Sequence, residues 1–140
     1  VVDTFETAEA EYGVTPAMEA MEQAVRDNVG EGEKVHVFTH LSHLYPQGSS
    51  IYTTYVFRSS DSYQATLQRW RAMKDAASDA IVAHGGTISH QHGVGRDHAP
   101  WLHHEKGGQG MAALASLVTH FDPQQRLNPG CLLDNSQSQV

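Results

Sequence analysis

Apolar residues recur along this chain with two different periods, and the changes of period mark out its elements. The opening VVDTFE reads as a short strand. Thr15 and Pro16 then supply a helix start, with threonine as the N-cap and proline at the first helical position. Met18, Met21, Val25 and Val29 follow at helical spacing, and Gly30 and Gly32 are expected to end that helix. KVHVFTHL, residues 34–41, is rich in β-branched and aromatic residues and predicts a strand. Pro46-Gln47-Gly48 turns the chain, and SSIYTTYVFR, residues 49–58, returns as a second strand. Asp61, with Gln64 three residues on, opens the longest helix. Its buried stripe is predicted to be Tyr63, Leu67, Trp70, Ala77 and Ile81, with Gly85-Gly86 as its stop. TIS, residues 87–89, is a further candidate strand. Ala99-Pro100-Trp101 begins a helical turn, and Met111, Leu114, Leu117, Val118 and Phe121 make the face of a last helix. DPQQRLNPG is a run of turn signals.

The order strand, helix, strand, strand, helix, strand, helix is the split β-α-β pattern. It predicts an α+β fold: a ferredoxin-like antiparallel sheet with helices packed on one face, plus a C-terminal helical segment. The expected domain is residues 1–133, and the polar 134–140 is expected to be a disordered tail. A chain of 140 residues suits one domain with a real core. It begins Val-Val, inside a predicted strand, so a piece of a longer polypeptide is expected.

Composition narrows the function classes. Hydrophobic residues make up 39% and charged residues 18%, with a net charge of −7 and scattered basic residues. No basic stripe of the kind nucleic acids require is visible, so nucleic acid is not expected as a partner. No apolar run approaches the ~18–20 residues that span a bilayer, and no basic start precedes an apolar segment of the secretory type. The single cysteine, Cys131, excludes an internal disulfide. A cytoplasmic location is expected, with association at a membrane surface as the alternative. Ten histidines stand out, and composition alone does not choose among metal, catalysis and pH sensing.

Alternation along residues 49–58 puts Ile51, Thr53, Tyr55 and Phe57 on one face and Tyr52, Thr54, Val56 and Arg58 on the other. The first set is bulkier and more apolar and is assigned to the helices, so Tyr52 is expected to point away from the core. The same counting tests a metal. His40 and His43, three apart on a straight strand, point oppositely. His36 and His40 share a face but lie about 13 Å apart at ~3.3 Å per residue. His90 and His92 are closer, and His103, His104 and Glu105 could add ligands, yet the tight spacing of zinc sites is missing. No metal is expected.

GGTISHQHGVG, residues 85–95, concentrates the remaining chemistry. His90 and His92 can each accept or release a proton near neutral pH, whereas Gln91 can hydrogen-bond but never titrate. Gly93 and Gly95 permit positive φ and close approach of a ligand. Taken alone, the segment could cradle a phosphate, serve acid-base chemistry, or be a glycine-rich turn whose histidines bond backbone carbonyls. His98, His103 and His104 are read as surface residues.

GGTISHQHGVG, followed by WL and then by FDPQQRLNPGCLL, resembles the C-terminal part of FAD-linked oxidases of the vanillyl-alcohol oxidase type. DTFETAE and GSSIYTTYVF are most similar to the branch of alkylglycerone-phosphate synthases and their bacterial relatives. The resemblance covers nearly the whole chain. It implies a cap domain whose sheet lies over the isoalloxazine ring of FAD, the cofactor being held mainly by an N-terminal domain of the same polypeptide. It also implies that a tyrosine on a cap strand, here Tyr52, acts with a histidine cluster beside the flavin. The synthases carry three histidines before Gly-Val-Gly, and this chain has His90-Gln91-His92, so a proton transfer at the central position is not inherited. The resemblance thus implies catalytic roles for Tyr52, His90 and His92, contacts to the cofactor from His92 and Asn128, and substrate contacts from Gln91 and Arg96.

A second branch contains dehydrogenases of D-2-hydroxy acids, with Glu-His-Gly at this loop and a metal bound by a histidine pair. Here His43 stands at the first ligand position and Tyr52 at the second, and a phenol replaces an imidazole poorly. The substrate implied is a glycerol or dihydroxyacetone phosphate, or a small hydroxy acid such as D-lactate or glycolate. The alternatives are the cap of a flavin dehydrogenase for a hydroxy acid or glycerol 3-phosphate, and a stand-alone binding domain of the same fold. The isolated fragment is expected to be inactive, and a homodimer is an open expectation.

Overall fold

The computed structural model describes residues 1–133, so the expected tail at 134–140 lies outside the described residues. The described residues fall into two compact units, Val1–His92 and one that begins at Gly93.

The first unit is built on a three-stranded antiparallel sheet of β1 (Val2–Ala10), β2 (Val35–Tyr45) and β3 (Gly48–Phe57), in the order β1-β3-β2. Alternation on β3 works as counted: Ile51, Thr53, Tyr55 and Phe57 are buried, and Val56 on the opposite face is exposed. Two helices, α1 (Val14–Asp27) and α2 (Tyr63–Ala83), pack with the buried set to form one core. Phe5, Met21, Val25, Ile51, Tyr55, Met73 and Ile81 sit at its centre. Each such apolar side chain contributes about 1.5–3 kcal/mol by leaving water. The fold is α+β and ferredoxin-like, with a helical C-terminal segment.

Several local expectations are corrected. Thr15 is not the N-cap of α1: Gly13 holds that position without a side-chain bond, and Thr15-Pro16 lie inside the first turn, where the absent proline N–H costs nothing. That helix ends before its glycines, at Asp27 with Asn28 as cap. Ser62, not Asp61, caps α2, its hydroxyl accepting from the Ala65 N–H at 3.1 Å. The buried stripe of α2 keeps Ala77 and Ile81 of the one predicted, with Trp70 partly buried against the core, but fails at its first turns. Met73, Lys74, Ala77, Ser78 and Ile81 face inward, whereas Tyr63 is 75% exposed and Leu67 is exposed. A buried lysine was not readable as core, because its place inside depends on the Asp3 carboxylate of β1.

Gly85-Gly86 does end α2, and for a definite reason. Gly85 has φ of +80°, its N–H bonds Val82 O, and the N–H of Gly86 bonds Ile81 O, both at 3.0 Å. Residues 87–89 are not a strand. The segment follows β1 through backbone bonds from Thr87 N–H to Ala8 O and from His90 N–H to Glu6 O. Thr7 Oγ1 donates to Thr87 O between them, at 2.7 Å, so the edge of β1 is covered without a full ladder.

The second unit contains a 3₁₀ turn at Ala99–Trp101 and α3 (Leu102–Phe121), which kinks at Gly107 with φ of +62°. Leu102 and Met111 are buried, but Leu117, Val118 and Phe121 of the expected apolar face are exposed. His98, read as a surface residue, is buried. It stands at the head of the 3₁₀ turn, where the His98 N–H bonds Val94 O and its carbonyl accepts from the Trp101 N–H. Among the described residues no helix is long and apolar enough to cross a membrane.

Candidate functional site

The sheet face opposite the helices holds Tyr52 and the side chains that meet it. Register places Glu6, Tyr52 and His40 side by side across β1, β3 and β2. Residues directly opposite in adjacent strands share a face, so the three side chains form one row. Tyr52 is half-buried in the middle, its ring stacked on His40 with centroids 5.0 Å apart. His92 approaches the same phenol edge-on, at 5.2 Å and 81°. Among the described residues the Tyr52 hydroxyl makes no hydrogen bond and stays available to a ligand.

His92 reaches this position through a bend. Gln91 has φ of 65°, a left-handed conformation uncommon outside glycine, so simple alternation along His90-Gln91-His92 does not hold. The His90 ring instead meets Tyr45, whose hydroxyl lies 2.9 Å from His90 Nε2. The Tyr45 ring in turn stacks on His43. Gln91 is exposed.

A carboxylate underlies this cluster. Glu6 is 2% exposed, with Oε2 3.4 Å from His92 Nε2, and Oε1 accepts from the Ser42 hydroxyl. Ser42 is placed there by a β-bulge: between the pairs Leu41–Ile51 and Leu44–Ser49, two residues of β2 oppose one of β3. Ser42 Oγ and Ser50 Oγ lie 2.6 Å apart, and Ser50 Oγ accepts from the His43 N–H at 2.8 Å. Since Ser42 donates to Glu6, the chain of bonds runs one way, from His43 N–H through Ser50 and Ser42 to the carboxylate. The bulge also means that β2 is not straight at His43, contrary to the counting that separated it from His40.

Glu6, Tyr45 and Ser42 were missed from the sequence. Glu6 carried a usable signal: Phe5 is an evident core residue, so its neighbours Glu6 and Thr4 must point the other way. Its pairing with Tyr52 depended on strand register, which no local pattern supplies. Among the described residues no three His, Cys, Asp or Glu side chains group as metal ligands.

In the second unit, Arg96 and Asn128 meet each other. Arg96 Nη2 donates to Asn128 Oδ1 at 2.8 Å and to Pro129 O at 3.0 Å, and Nε donates to Pro129 O at 3.3 Å. The guanidinium thereby ties the start of this unit to its closing turn, where Asn128 has φ of 51°.

Comparison with known proteins adds the family. The model for "FAD linked oxidases, C-terminal domain" matches residues 2–132. An alkyldihydroxyacetonephosphate synthase of Trypanosoma brucei brucei is 27% identical over 138 residues, covering 98% of this chain and 22% of that protein. A glycolate oxidase subunit of Bacillus subtilis is 46% identical over 46 residues, 33% of this chain and 10% of that one. A solved alkyldihydroxyacetonephosphate synthase matches in fold with a TM-score of 0.60 at 19% identity, over 91% of this chain and 20% of that one. The chain spans about a fifth of the length of these synthases. With the family match running over nearly every described residue, the chain belongs to the FAD-linked oxidases, as their C-terminal domain.

Proposed function

We propose that this chain is the substrate-side cap of an FAD-dependent enzyme of the alkylglycerone-phosphate-synthase type, with Tyr52 and His92 as its proton-handling pair. The observation that carries the proposal is their edge-to-face meeting on the sheet face that α1 and α2 leave bare. That face also suits the flat, polar-edged ring system the family implies. Exposed Phe38 and Val56 flank half-buried Thr54 and Tyr52, an apolar floor with hydrogen-bonding groups set into it. Tyr52 and His92 would contact the flavin there. The flavin, when bound, supplies the redox or covalent chemistry.

This chain's own residues handle protons and orientation. His92 accepts a proton from the Tyr52 phenol or from a substrate hydroxyl and returns it later in the cycle. His90, held by Tyr45, orients the loop rather than exchanging protons itself. Gln91, exposed beside His92, is a proposed contact for a phosphate or carboxylate of the substrate. The proposed substrate class is a glycerol-type or dihydroxyacetone phosphate, in a polypeptide whose other domain holds FAD, and the isolated chain is proposed to be inactive.

Removing one member of the pair tests this directly. In the complete enzyme that carries this chain, Tyr52→Phe and His92→Ala should each lower turnover by roughly 10²–10⁴-fold. Full activity in both variants would discard the site. A second reading, a dehydrogenase of small hydroxy acids, is favoured by the local match to a glycolate oxidase subunit. Anaerobic mixing separates the two. Flavin bleaching by glycolate, D-lactate or glycerol 3-phosphate supports the dehydrogenase, and exchange of an acyl group for a fatty alcohol without net redox change supports the synthase type.

A further inference from the structure

We propose that Glu6 is a positioning residue that fixes the tautomer of His92, so that Nδ1 is the nitrogen that takes and returns the proton. The inference rests on the reading of His92 as the reactive imidazole. Its physical basis is the environment of the Glu6 carboxylate, whose side chain is 1% exposed. A carboxylate so far from water is costly unless it is paired and hydrogen-bonded. Among the described residues the side chains that meet it are Ser42, a neutral hydroxyl on Oε1, and His92, whose Nε2 faces Oε2 at 3.4 Å. The buried cation of this unit, Lys74, is engaged on the other face by Asp3 and Thr4 O. His92 is thus the group that can put an N–H, and on protonation a positive charge, against Glu6.

The consequence concerns the two ring nitrogens. A neutral imidazole has one donor and one acceptor. With Nε2–H turned to the carboxylate, Nδ1 holds the lone pair. At 3.4 Å the contact is longer than a full hydrogen bond of about 2.7–3.2 Å, and Nε2 is the ring nitrogen that faces the carboxylate. When Nδ1 takes a proton from the phenol or a substrate hydroxyl, the imidazolium that results lies beside a carboxylate already in place. No proton moves to Glu6, and the same proton leaves from Nδ1 when the ring acts as an acid. The one-way bonds from His43 N–H through Ser50 and Ser42 keep the carboxylate turned to its place. Outer partners of this kind are oriented groups whose loss is felt through the residue they hold.

Two measurements test the proposal. Nitrogen-resolved NMR of the histidine rings in the chain, recorded with His92 neutral, should show one tautomer at His92, protonated on Nε2. Glu6→Met keeps the volume but removes the acceptor and should give a mixture of tautomers, whereas Glu6→Gln, whose amide oxygen still accepts, should keep the Nε2–H form. In the complete enzyme, Glu6→Met should lower kcat by roughly 10–100-fold, with KM changed by no more than about twofold, and Glu6→Gln should restore most of the loss. A wild-type His92 protonated on Nδ1, or identical ring spectra in wild type and Glu6→Met, would overturn the proposal. Should Glu6→Met fail to fold, the wild-type spectrum and Glu6→Gln still decide. Full turnover in both Tyr52→Phe and His92→Ala would remove the proposed function while leaving the tautomer assignment standing, so the two can fail separately.

Discussion

Asp3 and Glu6 lie three residues apart on β1, and that odd spacing turns one carboxylate toward the helices and the other toward the bare face. Asp3 meets a permanent cation and two fixed donors. Its Oδ2 accepts from Tyr55 Oη at 2.8 Å, Trp70 Nε1 at 2.7 Å and Lys74 Nζ at 3.2 Å. Glu6 meets a serine and a histidine whose charge depends on its protonation. Burial alone would push the Asp3 carboxyl upward. The Lys74 charge and the hydrogen bonds from Trp70, the Thr4 backbone and Tyr55 outweigh that and hold it below the ordinary carboxylate range. The contrast separates two uses of a buried acid: one matched to a fixed charge to join β1 to α2, the other set beside an imidazole that can change state. Stability should depend on the first and turnover on the second.

The largest effect on folding should come from Asp3→Ala, which strands the Lys74 ammonium, 4% exposed in its side chain. Removing one partner of a buried pair costs about 3–5 kcal/mol, read in urea or thermal unfolding of the chain. A loss below about 1 kcal/mol would break the contrast, because such a value suits a surface pair. Acid should then erode the same contribution. Because the folded carboxyl binds its proton less readily than the unfolded one, the contribution of Asp3 is complete above the unfolded value of about 3.9. It is lost as pH falls through the lower folded value, so the stability gap between wild type and Asp3→Ala should narrow below about pH 4. A gap that widens in acid would reverse the assigned sign. Glu6→Met should be the mildest of the three, within about 1 kcal/mol of wild type, since replacing a buried acid by an apolar group of similar volume also removes its desolvation cost. A large loss of stability there would make Glu6 a second structural acid.

How far the fold was legible depended on how local each signal was. Alternation on β3 identified the buried Tyr55 and the outward-facing Tyr52 without error, because it needs only neighbours in the chain. Helix α1 likewise followed from the spacing of Met21 and Val25. The stripe of α2 held at Ala77 and Ile81 but missed Lys74, which counts as polar by itself and becomes core only once Asp3 and Thr4 O receive its ammonium. Residues 87–89 have strand-like composition, yet no strand forms there, and the segment is tied to β1 by bonds of Thr87 and of the following His90. The pair Tyr52 and His92 came from a resemblance and from side-counting. Glu6 stayed hidden because its importance lies in a pairing across the sheet.

By itself, the sequence determined the hairpin, the two helices, the outward tyrosine and the histidine segment, all of which are set by residues within a turn or two of one another. Only the tertiary structure decided which carboxylate stands behind which partner. Register, the bulge at Ser42 and the left-handed Gln91 each shift side chains by one position or one face, and such shifts are fixed by contacts between segments far apart in the chain.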